Sequence, residues 1–308
     1  MASSVDPLYV LYMNKGLVPR EIALSGIVAL ICWVGIGLNS SLVYVTIKTK
    51  SLQTPCQILI ALYAFFASFL LFGNSVKFVV FVFGINYITL RTCFYIQIVP
   101  LIGTSIASIL QLCIGIDRLI GVIFPFWYKA SGKNITFKCI IGICCIRALL
   151  SGLNIYIGCS AHWEKPVMCI LADSVHQPEN HYFADISALV TYCGEFLSYT
   201  LILLIIWRRK SLIPENVKKL TISLSVLMSI GLICYILNIF FYYGIMPLFT
   251  VDAFTIEYFV LPISLVLQSL AYGSNAPVLF VCNGHYRREF RKQFGHQEQV
   301  SAVQYLGN

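Results

Sequence analysis

Asp117 and Arg118 stand side by side at the end of about twenty-four residues, Cys93 to Ile116, that carry no charged side chain. Burying an acid–base pair where a lipid-spanning helix ends is costly, so the pair is a functional candidate by default. A guanidinium stays charged and offers five donors in a fixed fork. The plainer alternative is two interfacial charges that end a span. Glu195 is a second expensive group in an apolar stretch and needs a partner, Arg147 being one candidate. Hydrolytic and metal chemistry find no comparable support. His162, His176, His181, His285 and His296 all fall in connections or the tail, and no nucleophile–base pair is apparent. No catalysis, metal or cofactor is expected.

The elements that must position these residues are helices in lipid. Charged residues make up 11% of the 308, apolar residues 58% and aromatic residues 14%, and the mean hydropathy is +0.82. Such a chain lacks the polar surface of a water-soluble domain, whose charged share is about 25%. A bilayer core takes about 20 apolar residues per helix. Seven segments qualify: Ile22–Ile47, Ile58–Phe83, Cys93–Ile116, Cys139–Gly158, Ile186–Trp207, Leu220–Tyr243 and Phe259–Val281. Backbone polar groups cannot go unpaired in lipid, and the alternation that a barrel needs is absent. The expected fold is an all-α membrane protein, a seven-transmembrane bundle with a short amphipathic eighth helix. Residues 1–21 form an extracellular amino terminus, 22–283 the bundle and 284–308 the amphipathic helix and cytoplasmic tail. No cleavable signal peptide is expected ahead of the first span.

Sidedness follows from lysine and arginine. Fifteen of the twenty-one fall in the connections after helices one, three and five or in the tail. Lys15, Arg20, Lys77, Arg91 and Lys165 fall on the opposite side, which also holds most of the acids. The amino terminus is therefore expected outside and the carboxyl terminus inside. The net charge of +8 belongs to one face and reads as attraction to anionic inner-leaflet lipid, not nucleic acid.

Of twelve cysteines, most lie in or beside helices, where they act as small hydrophobes. Cys93, Cys159 and Cys169 remain on the oxidising side. A bond from Cys93 to the loop after helix four would fasten that loop over the mouth of the bundle. Cys169 is the preferred partner because it sits inside the loop, with Cys159 left open. Cys282 is a candidate for lipidation or a plain thiol.

These features together resemble a rhodopsin-type G-protein-coupled receptor. The likeness rests on Asn39, Cys93, Asp117-Arg118, Pro125, Tyr128 and Asn275-Ala276-Pro277-Val278-Leu279-Phe280, followed by His285-Tyr286-Arg287-Arg288-Glu289-Phe290. Departures are as informative. Leu119 stands where most members have tyrosine, Phe280 replaces a usual tyrosine, and no acid occurs between Glu21 and Asp117. The missing acid in helix two, near Ala67, with Ala107 facing it, argues against the family's internal sodium site. The pattern is similar to the nematode serpentine chemoreceptors of the Srsx class.

The resemblance implies a switch in Asp117, Arg118, Leu119, Pro125, Tyr128, Asn275, Pro277 and Phe280. Asp117 holds Arg118 at rest; activation swings helix six outward and frees Arg118 for a heterotrimeric G protein. Glu215 is a candidate for a second lock. Pro277 removes a backbone hydrogen bond and creates a point of bending. The ligand pocket is implied in the outer half of the bundle. Pro100 occupies the place where amine receptors hold an aspartate, which disfavours an amine. Leu101, Thr104 and Ser105, Glu195 and Tyr199, and Tyr235, Asn238 and Tyr242 share faces at helical spacing and are ligand-binding candidates; packing within the bundle is the plainer role for the tyrosines.

A small chemosensory molecule is the expected ligand, with a neuropeptide greeted by the acidic outer loops as the alternative. A seven-helix transporter fits less well, because paired half-repeats and broken midplane helices are not evident. The expected location is the plasma membrane, with sensory cilia a candidate.

Overall fold

The computed structural model describes residues 7–175, 177–179, 181–208, 215–240 and 255–295. Seven helices cross the membrane: α1 (Pro19–Lys48), α2 (Pro55–Val82), α3 (Leu90–Ile123), α4 (Lys133–Ser160), α5 (His181–Arg208), α6 (Glu215–Ile239) and α7, which runs in two pieces, Leu261–Gly273 and Asn275–Cys282. A final helix, α8 (Gly284–Phe294), follows. Among the described residues six helices are long and apolar enough to span a bilayer, and α6 carries a shorter apolar stretch, Thr221–Leu237. The protein is an all-α membrane bundle, as its apolar runs predict.

Most helices outrun the apolar segments by about a turn. Backbone groups at the headgroup level still need partners, so the helix continues until a local signal stops it. Pro19, Pro55 and Pro262 stand in first turns, where a missing N–H costs nothing. The seventh span is a larger departure. The sequence predicts one run from Phe259 to Val281, whereas the helix ends at Gly273 and restarts at Asn275. Pro277 has no N–H to give the carbonyl four residues back, that of Gly273, and its ring crowds the same group. A π-helical turn, Ile256–Val260, precedes the first piece.

Helix α3 is central and packs on α2, α4 and α5, while α1 lies between α2 and α7. The main core runs through Leu42, Leu59, Leu70, Leu110, Ile114, Leu224 and Leu279. Gly35 of α1 and Gly273 of α7 face each other, and a methyl on Gly35 would stand 3.1 Å from the Gly273 Cα, a tighter contact than side chains normally make. The outer faces are also apolar, with Leu30 and Val34 on α1 and Leu149 and Leu153 on α4 exposed. Lipid, not water, is the solvent for these faces. Helix α8 has the opposite character: Tyr286 and Phe290 are buried on one face, and Arg287, Arg288, Arg291 and Lys292 lie elsewhere on it. Asn283 caps it by accepting from the His285 and Tyr286 N–H groups.

Candidate functional site

At the carboxyl end of α3 three side chains close a network. Arg118 Nε donates to Asp117 Oδ2 at 3.0 Å, and Arg118 Nη2 pairs with the same oxygen. Arg118 Nη2 also donates to the Tyr128 hydroxyl at 2.7 Å. That hydroxyl donates in turn to Asp117, 2.8 Å from Oδ1. Asp117 is 1% exposed and the Arg118 side chain 11%. Charge is balanced, and Arg118 Nε and Nη2 and both Asp117 oxygens have partners, which favours a stable buried pair. Pro125 opens a one-turn helix, Pro125–Trp127, that reverses the chain and returns Tyr128 to the end of α3. Burial raises the pKa of the Tyr128 phenol above its ordinary value, so the hydroxyl remains a donor at neutral pH. Leu119 packs on the main core and takes no part in this network.

A second cluster joins α1 to α7. Asn275 Nδ2 donates to Asn39 Oδ1 at 3.0 Å, and both asparagines donate to the Tyr272 carbonyl, each at 3.0 Å. The irregular backbone around Ser274 is thus supplied with donors from side chains. Pro277 is exposed. Phe280 lies edge-on to Phe290 of α8, with centroids 6.1 Å apart. These residues tie the end of α7 to α1 and α8 and stand apart from Arg118.

Between the two levels a polar chain crosses the bundle. Tyr63 donates to Gln111 Oε1 at 3.1 Å, and Gln111 Nε2 donates to Glu195 Oε2 at 3.0 Å. Glu195 is 2% exposed. Its partner is therefore Gln111 and not Arg147, which donates to Ser187 at 2.8 Å and lies 5.5 Å from the Phe183 ring centroid. Tyr199 is buried against Gly115, where a Cβ would stand 3.0 Å from its ring. Tyr235 stacks on Tyr192 with centroids 3.5 Å apart. Leu101 is buried with the outer apolar cluster, and Thr104 donates back to the Pro100 carbonyl at 2.8 Å. Ser105 is half-buried on the same helix. The Asn238 and Glu215 side chains, and the whole of Tyr242, lie outside the described residues.

The end of the bundle opposite Arg118 is covered by the chain between α4 and α5. Cys93 and Cys169 are disulfide-bonded. A two-residue ladder pairs Ile88 with Val167 and Thr89 with Pro166 beside that bond. Gln97 of α3 donates to the Gly73 and Cys169 carbonyls. Cys159 is buried, with a free thiol.

One cluster has no counterpart in the expectations above. Lys77, taken from its sequence as an outer-side charge, lies inside α2 and is 5% exposed. Its Nζ is 2.9 Å from Glu21 Oε2 of α1 and also pairs with Glu257 Oε1 of the turn before α7. The available signal was a lone lysine within the otherwise uncharged run Ile58–Phe83.

This arrangement has two polar ends, a linked middle and a tied loop, and among the described residues no group of three or more His, Cys, Asp or Glu side chains that could hold a metal. No curated protein matches the chain. A family model described as the serpentine type 7TM GPCR chemoreceptor Srsx matches residues 32–294, from α1 through α8. With that match over most of its length, and with the helical bundle it requires, the chain belongs to the Srsx family of serpentine chemoreceptors.

Proposed function

We propose that this multi-pass chemoreceptor binds a small extracellular molecule in the outer half of its bundle and activates a heterotrimeric G protein through Arg118. The observation that carries the reading is the Asp117–Arg118–Tyr128 network. A permanently charged donor is held at the inner end of the central helix by contacts that are all within twelve residues. Such a group can exchange its partners without dismantling the helix packing, as a two-state switch requires. The Tyr63–Gln111–Glu195 chain links α2, α3 and α5 on the ligand side of that switch and supports coupling between the ends. Asn275, Pro277 and Phe280 serve this scheme by fixing where α7 bends. The amino terminus outside, the carboxyl terminus inside and residence in the plasma membrane of sensory cilia complete the proposal; the basic residues of α8 fit anionic headgroups.

The test is Arg118→Ala in reporter cells, after an activating compound has been found in a panel of small odorant-like molecules. Response should fall about a hundredfold or more, the scale of about 3 kcal/mol, while surface labelling of an amino-terminal tag stays at the wild-type level. An undiminished response at equal surface level would remove Arg118 from coupling.

A further inference from the structure

We infer that Arg147 and the furrow between α4 and α5 form a membrane-facing site for a lipophilic organic anion, a carboxylate carried on an apolar chain. Arg147 stands near the middle of α4 (Lys133–Ser160), inside the apolar run Cys139–Gly158. At about 1.5 Å of rise per residue it lies about 12 Å from the nearer end of that run, level with hydrocarbon and not with headgroups.

Its charge is not answered within the protein. Arg147 Nη2 donates to Ser187 Oγ of α5 at 2.8 Å, and the guanidinium carbon lies 5.5 Å from the Phe183 ring centroid. The Ser187 hydroxyl gives its own proton to the Ala184 carbonyl at 2.9 Å, so it orients the fork as a neutral acceptor. Among the described residues no carboxylate pairs with Arg147. A guanidinium does not shed its charge, and an unanswered charge at this depth is costly enough to mark a functional group. Arg118 differs, because Asp117 cancels it next door.

The surroundings decide what can answer it. Both helices pack on α3. Arg147 is half-buried, and Ile143 and Leu150, one turn to either side of it, are exposed; so are Phe183 and Val190, one turn to either side of Ser187. On α3, Ile102 meets Gly152 of α4 and Leu112 meets Gly194 of α5, where added Cβ atoms would stand 3.8 and 2.9 Å away. Ser105 falls between them on the same stripe and is half-buried, so it belongs to the floor of the furrow. A guanidinium fork with an apolar approach fits a carboxylate: two parallel N–H bonds take its oxygens while its chain stays in hydrocarbon. A phospholipid headgroup fits worse, since it belongs at the interface, about 15 Å from the midplane. Binding here is independent of whether Arg118 couples to a G protein.

The test uses the full-length receptor in nanodiscs of phosphatidylcholine at about pH 9, well above the ordinary carboxyl range. The probe is dodecanoic acid with a photoreactive diazirine beside its carboxyl group, and labelled peptides are read by mass spectrometry. Label should collect on α4 and α5 around Arg147 and Ser187 and saturate. Dodecanoate should displace it about tenfold more effectively than dodecanol, the scale of one charge-assisted contact. Arg147→Met should weaken labelling by a similar factor. Where that variant does not fold, Ser187→Asp serves, because it answers the guanidinium from within and should exclude the probe. Absence of label from both helices overturns the site, as does label that the alcohol displaces equally well or that the variants retain. Doping the discs with phosphatidylglycerol separates the other source of an anion. Displacement by that lipid as effective as by dodecanoate would make the furrow a headgroup site and overturn the carboxylate assignment.

Discussion

The inner Asp117–Arg118–Tyr128 network and the outer Glu21–Lys77–Glu257 cluster are both three-membered and buried, and they are built to opposite ends. Inside, the three groups belong to one helix and the turn that follows it. Their charges cancel, and a neutral hydroxyl bridges donor and acceptor. Outside, each member comes from a different part of the bundle, and one carboxylate is in excess. A local, balanced network can open at little cost in helix packing. A distributed one cannot, because its members tie α1, α2 and the turn before α7 to one another.

The outer cluster should be the costlier to break. Lys77→Met leaves two buried carboxylates facing each other with no counter-charge. Removing one partner of a buried ion pair costs about 3–5 kcal/mol. The expected outcome is a severe loss of folded protein at the cell surface, read by flow cytometry. Replacing Glu21 and Glu257 by glutamine in the same chain should restore most of it, since it is the orphaned charge, not the missing bond, that destabilises. Failure of that rescue would mean that Lys77 acts by packing alone.

The inner network should respond less in stability and more in signalling. Tyr128→Phe deletes one hydroxyl that accepts from Arg118 and donates to Asp117 while leaving the ion pair. A hydrogen bond to a charged group contributes about 1.5–3 kcal/mol, part of which water replaces beside the half-buried Tyr128. Agonist-free coupling should rise about three- to tenfold at unchanged surface level, measured with a G-protein reporter. Unchanged basal coupling would show that the ion pair alone holds the resting state.

The two regions also differ in how far the sequence discloses them. Asp117 and Arg118 are adjacent, so their pairing needs no knowledge of the fold, and the apolar run before them sets their depth. The seven helices are legible for a related reason: a lipid-spanning segment states its own length. Cys93 and Cys169 were half disclosed: elimination leaves Cys93, Cys159 and Cys169, and the structure decides the pair. What a hydropathy reading cannot supply is which helices are neighbours. Lys77 appeared to be an outer connection charge because its two partners lie far away in sequence, at the starts of α1 and α7. Glu195 was matched with Arg147 because both are charged, whereas its bond goes to Gln111, an uncharged residue that leaves a faint trace in an apolar run. The break in α7 was half legible. Pro277 marks the weak point, yet the helix stops at Gly273, four residues earlier, where the lost donor and the ring clash are felt.

The smallest effect expected lies between the two regions, in the loop that the disulfide holds over the mouth. Asp173 accepts from the Ile170 N–H at 3.0 Å. Burial pushes its carboxyl up to about 6 from 3.8, and nearby Glu257 adds to the rise, against the pull of the Ile170 N–H, Lys165 and Lys77. Between those two values the folded receptor keeps a proton that the unfolded chain has released. Stability contributed by this group is therefore full below about pH 4, falls as pH rises towards 6 and stays low above it. Asp173→Asn keeps an acceptor for Ile170 without the charge. It should flatten the unfolding midpoint across that window and raise it by a few °C at neutral pH, as followed by thermal unfolding of the purified receptor. If the slope survives the substitution, the titration belongs to another group. If it disappears, the excess of negative charge at the outer end extends from the Lys77 cluster into the lid.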